Sequence, residues 1–124
     1  MKKRLHVVYK THLDIGFTDL AANVIDQYLY DFIPNALELG EKIPEKFTWT
    51  TGSWLIDFYL EHPDVTDENK ERMRQAIQAG TIRWHALPFT IHTELMDGEL
   101  MRYATSISQK LDKEFGKTTI ASKM

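Results

Sequence analysis

Hydrophobic positions along this chain recur with two periods, and the switches between them mark its elements. Leu5 to Tyr9 is a short apolar run of β-formers, interrupted only by His6, and predicts a buried strand. Thr11 to Phe17 follow as a loop, with Gly16 supplying backbone freedom. Thr18 is the predicted N-cap of a helix, with Asp19 in its first turn. Leu20, Val24, Leu29 and Phe32 then recur at helical spacing, and the helix runs to about Gly40 with a kink or restart at Pro34. Lys46 to Thr50 alternates and predicts a second strand. Trp54 to His62 reads as a short aromatic helix stopped by Pro63.

Thr66 is placed to cap a third helix, with Asp67 and Glu68 in its first turn. Met73, Ala76 and Ile77 mark its buried stripe, and Gly80 suits the left-handed position after it. Thr81 to Leu87 predicts a third strand. Leu100, Ala104, Ile107, Leu111 and Phe115 trace another helical face, ended by Gly116. Thr118 to Ser122 predicts the start of a fourth strand. The junctions Ala79-Gly80-Thr81-Ile82 and Phe115-Gly116-Lys117-Thr118 echo one another, each a helix stop feeding a strand.

Strands alternating with helices imply an α/β fold of parallel βα units with right-handed crossovers. A closed barrel of such units takes about 250 residues. The 124 residues therefore read as a single partial domain, residues 1–124, the amino-terminal fragment of a larger catalytic domain. The alternative is a small open α/β sandwich with a strand-like tail.

Composition narrows the partners. A formal charge of −3 gives no basic face for a phosphate backbone, so no nucleic acid is expected. No run approaches the roughly 18 apolar residues of a membrane helix, and the stretch after Met-Lys-Lys-Arg is too polar for a signal peptide. The absence of cysteine removes disulfides, thiolate ligands and a Cys nucleophile, and agrees with a reducing compartment. The expected setting is the cytoplasm.

The candidate chemistry sits in Thr11-His12-Leu13-Asp14-Ile15-Gly16, where the first predicted strand ends. Sites in parallel α/β proteins form at that carboxyl end. A His and an Asp two apart on an extended segment project to one side, while Leu13 points away into packing. Imidazole and carboxylate both bind Zn²⁺ at about 2.0 to 2.2 Å. The tripeptide is short, and a loop Asp beside a helix start is often only a cap or turn residue.

The segment His6-Val7-Val8-Tyr9-Lys10-Thr11-His12-Leu13-Asp14-Ile15-Gly16-Phe17 resembles the opening strand and loop of glycoside hydrolase family 38, the α-mannosidase type. The resemblance continues in order through Lys46-Phe47-Thr48-Trp49, Ile77 to Trp84, Asp97-Gly98-Glu99-Leu100 and Phe115-Gly116. Only the first motif is specific. The resemblance implies that His12 and Asp14 are metal ligands, for Zn²⁺ or another divalent ion, and that Phe17 is a wall of the sugar site. It implies a retaining hydrolase of α-mannosides or related sugars. The nucleophile Asp, itself a ligand, and a later His ligand would fall beyond Met124, so the fragment is expected to be inactive alone. Phe17 in place of Trp, Leu13, the Thr50-Thr51-Gly52-Ser53 stretch and Thr93-Glu94 depart from the family pattern and mark a divergent branch.

His85 and His92 flank Pro88 in the loop after the third predicted strand and are candidate substrate contacts, or alternatively loop hydrogen-bonders. Asp97 suits a helix cap, and Trp54, Phe58 and Tyr59 suit core packing better than sugar stacking. Two other functions remain open. One is a metal-dependent deacetylase or amidohydrolase fragment. The other is a non-catalytic carbohydrate-binding or structural α/β module in which His12 and Asp14 only brace the loop.

Overall fold

A computed structural model of the chain describes residue 3 and residues 11–119. The expected strand Leu5 to Tyr9, with His6, lies outside the described residues, as does most of the expected strand Thr118 to Ser122. Thr118 and Thr119 are described and are not in a strand.

The fold is mixed α/β. Among the described residues it runs α1 (Ala21–Gln27), a π-helical turn (Tyr28–Phe32), α2 (Ile33–Lys42), β1 (Trp49–Gly52), α3 (Ser53–Glu61), α4 (Asp67–Ala79), β2 (Ile82–His85), a short 3₁₀ turn (Thr93–Leu95) and α5 (Gly98–Phe115). β1 and β2 pair in parallel, Trp49 opposite Ile82 and Gly52 opposite His85. The crossover through α3 and α4 is the expected βα unit.

The first helix starts later than its sequence predicts. Thr18 is not the cap. The Asp19 carboxylate instead accepts from Leu20 N–H at 2.7 Å and from the Asn23 amide at 3.1 Å, and the helix opens at Ala21. Pro34 coincides with the expected restart. It sits in the first turn of α2, and the π turn just before it carries a wider bond from Ile33 N–H to Tyr28 O. A proline ring clashes with the carbonyl four residues back, and a widened turn accommodates it.

β1 is displaced from its sequence expectation, whereas β2 keeps Ile82–His85 of the expected Thr81 to Leu87. Trp49 N–H donates to Thr81 O at 2.8 Å and opens the ladder, so β1 begins at Trp49, not Lys46. Pairing, not alternation alone, sets the extent of a strand.

The helix ends behave as expected. The Thr66 hydroxyl accepts from Asn69 N–H at 3.3 Å, and the Asp97 carboxylate accepts from Leu100 N–H at 2.8 Å. Gly80 and Gly116 are left-handed, with φ of 80° and 62°. After each, the next N–H reaches back five residues, Thr81 to Ala76 O and Lys117 to Asp112 O. The two junctions are thus one motif used twice.

Alternation along β2 sends Ile82 and Trp84 to one face and Arg83 and His85 to the other. The first face carries the core, where Leu37, Ile56, Met73, Ile77 and Leu111 are sealed from solvent. Arg83 is exposed. The charged run on α4 is mostly wet, but Arg72 also grips Glu41 of α2 through two bonds of 2.8 and 3.0 Å. That pair holds the two helices in register on the core.

Candidate functional site

The stretch that precedes α1 is pinned from two sides. Thr11 N–H donates to Thr50 O at 3.3 Å, and the Trp49 indole N–H donates to the Thr11 hydroxyl. Two residues later Leu13 is only 3% exposed and belongs to the core. Thr11 and Leu13 therefore face inward, and His12 and Asp14 face out. A turn through residues 15–17 follows, with Gly16 at φ 79°. No other residue type adopts that backbone comfortably.

His12 Nε2 and Asp14 Oδ1 lie 3.3 Å apart. Their side chains are 57% and 38% exposed, so both reach solvent while their backbone is held. The donor set fits a divalent ion. Two ligands at about 2.1 Å from a tetrahedral zinc stand about 3.4 Å from one another. The same separation suits an ion pair when His12 is protonated. Among the described residues, no third His, Cys, Asp or Glu completes a metal-binding group with them.

Tyr28, in the π turn, lies within electrostatic reach of Asp14, a relationship with no sequence signal. Burial pushes its hydroxyl pKa up, and the charge of Asp14 adds to the effect. A carboxylate nearby disfavours a second negative charge. Thr11 and Trp49, thirty-eight residues apart, also meet here with no sequence signal beyond the place of Trp49 on an alternating stretch.

The other candidates separate. Phe17 is 86% exposed, with an open ring face beside the turn. His85 is not in the loop; it closes β2 and is buried. His92 is exposed, with Nδ1 3.7 Å from the Glu94 carboxylate. The structure therefore seals one of the two histidines and leaves the other open.

What seals His85 is the return of the chain over the end of the sheet. Ser53 N–H donates to Leu87 O at 3.3 Å and Trp54 N–H to Pro88 O at 3.1 Å. A Cβ on Gly52, the residue opposite His85, would lie 2.0 Å from Pro88 O. Thr51 and Ser53 are fully buried beneath this closure. Thr51, Gly52 and Ser53 are thus interior, not rim.

No family model, curated protein or solved structure matches the chain. The aromatic helix α3 is accounted for by packing. Tyr59 is buried, and Trp54 stacks on Phe58 with centroids 4.8 Å apart, both against the core. No helix among the described residues is long and apolar enough to cross a membrane.

Proposed function

We propose that this chain is the amino-terminal part of a metal-dependent, retaining glycoside hydrolase of the α-mannosidase type, with a (β/α) barrel-like catalytic domain and a cytoplasmic setting. One observation carries the reading. His12 and Asp14 converge to 3.3 Å on the open side of a segment whose other side is held by Thr11 and Leu13. The resemblance of His6 to Phe17 to the opening of family 38 supplies the reaction class.

On this reading His12 offers a neutral imidazole nitrogen and Asp14 a carboxylate oxygen to one divalent ion, Zn²⁺ first. A bound cation supplies a template for sugar hydroxyls and a positive charge near the distorted ring. Phe17 offers its exposed face to the apolar face of a sugar. His92 is open to a substrate hydroxyl, whereas His85 is buried at the end of β2 and out of reach of one. The nucleophile and acid carboxylates, which in retaining enzymes stand about 5 to 5.5 Å apart, are assigned to residues outside this sequence. The chain as given is expected to turn over no aryl α-mannoside.

Calorimetric titration with Zn²⁺ tests the assignment. The expected result is weak binding by the wild type and none by His12→Ala. Identical isotherms would leave His12 and Asp14 as a brace for the loop and favour a structural α/β module. Binding without any affinity for mannosides would favour a deacetylase-like or amidohydrolase-like enzyme.

A further inference from the structure

We propose that Trp49 is a positioning residue for the His12–Asp14 pair, acting through its indole N–H bond to the Thr11 hydroxyl. This rests on the metal reading of the pair and deepens it.

The pair stands on a segment without regular structure. Its geometry must therefore come from anchors on either side. Leu13 is one, buried between the two ligands. Thr11 is the other, immediately before His12. Its backbone N–H takes Thr50 O and its hydroxyl takes the Trp49 indole. Neighbouring residues of β1 thus grip one threonine through its main chain and its side chain.

Trp49 is itself fixed at the first rung of the parallel ladder. Its N–H donates to Thr81 O, its register partner is Ile82, and its ring packs against the core. The indole is therefore a rigid donor attached to the sheet. Without it the bond of 3.3 Å to Thr50 is what the described residues still offer Thr11, and the χ1 rotamers of His12 and Asp14 lose their common frame. Groups that orient a ligand from behind typically govern metal affinity by about tenfold or more.

Two variants remove the bond from opposite ends. Trp49→Phe keeps an aromatic ring and loses the donor. Thr11→Val keeps the shape and loses the acceptor, while Thr11→Ser keeps the hydroxyl. Three-bond couplings by NMR report the χ1 rotamers of His12 and Asp14 in metal-free protein. A single rotamer at each is expected in the wild type and in Thr11→Ser, and averaging in Trp49→Phe and Thr11→Val.

Zn²⁺ or Co²⁺ titration is then expected to weaken about tenfold in each of the two averaging variants. The double variant should be no weaker than either single one, as for two ends of one bond. Unchanged couplings in both Trp49→Phe and Thr11→Val overturn the proposal, whatever the metal does. Altered couplings in a protein that binds no cation uphold the positioning and overturn the metal reading instead. Thermal melts of the same samples show whether a variant has lost its fold; should both lose it, hydrogen exchange of the Trp49 indole N–H in the wild type decides, with protection expected and exchange at the rate of a free indole overturning the proposal.

Discussion

Trp84 Nε1 donates to Asp112 Oδ1 at 3.0 Å, tying β2 to α5 across twenty-eight residues of sequence. The same carboxylate accepts from Thr119 N–H at 2.8 Å and from the Thr119 hydroxyl. One side chain therefore fixes both the helix against the strand and the chain that leaves the helix after Gly116. Asp112→Ala strands a half-buried indole N–H and is expected to cost about 1 to 3 kcal/mol. Asp112→Asn keeps one acceptor oxygen and recovers part of that. Urea unfolding measures both, and an Asp112→Ala curve superimposed on wild type refutes the role.

Two glycines are required for different reasons, and alanine separates them. Gly116 has φ 62° and open space around a notional Cβ. Its replacement costs only backbone strain, about 1 to 2 kcal/mol. Gly52 has an unstrained φ of −67°, yet its Cβ would fall 2.0 Å from Pro88 O. Gly52→Ala must push the 87–89 segment off the sheet and is expected to cost about 3 kcal/mol or more. Equal midpoints for the two variants in denaturant would show that this closure is loose.

The ion pairs set a pH response at both extremes. Hydrogen bonds to Asp57 and then Glu61 push the Lys110 ammonium up to about 12. A raised lysine contributes stability that is complete below its ordinary value of 10.5 and lost as pH rises through about 12. Glu41 is held below its ordinary value, first by its hydrogen bond from Arg72. Its contribution is complete above 4.5 and lost as pH falls through its depressed value. Glu41 and Lys110 are each about half exposed, so each effect is expected below about 1 kcal/mol and weaker in salt. Lys110→Met should flatten the alkaline limb and Glu41→Gln the acid limb of a melting-temperature profile. An unaltered limb in either case dismisses that pair.

Phe17 offers a clean division of stability from binding. Its ring touches solvent over most of its surface, so Phe17→Ala should leave stability within about 0.5 kcal/mol of wild type. Under the glycosidase reading the same change weakens mannoside binding to the metal-loaded protein. Saccharide titration by NMR reads the second effect and a thermal melt the first. A large loss of stability with no change in saccharide binding would make Phe17 a packing residue.

Local chemistry was the legible part of this chain. The caps at Thr66 and Asp97 and the left-handed stops at Gly80 and Gly116 follow from contacts with backbone a few residues away. Such signals survive because the partner is nearby in sequence. The π turn before Pro34 was not legible, since a kink and a widened turn relieve the same clash. The start of α1 is not legible either, because its N-cap position is Leu20, which has no capping side chain, although Thr18 is a capable cap two residues before it.

The outward alternation of His12 and Asp14 about a buried Leu13 was determined by the sequence alone, because an extended segment has a period of two. Tertiary structure alone decided what holds that segment. Trp49 reaches Thr11 at the first rung of the parallel ladder, and Ser53 and Trp54 meet Leu87 and Pro88 beyond its last, only because folding brings distant stretches to the two ends of the sheet. No local rule encodes those meetings; they exist when the core has collapsed and not before.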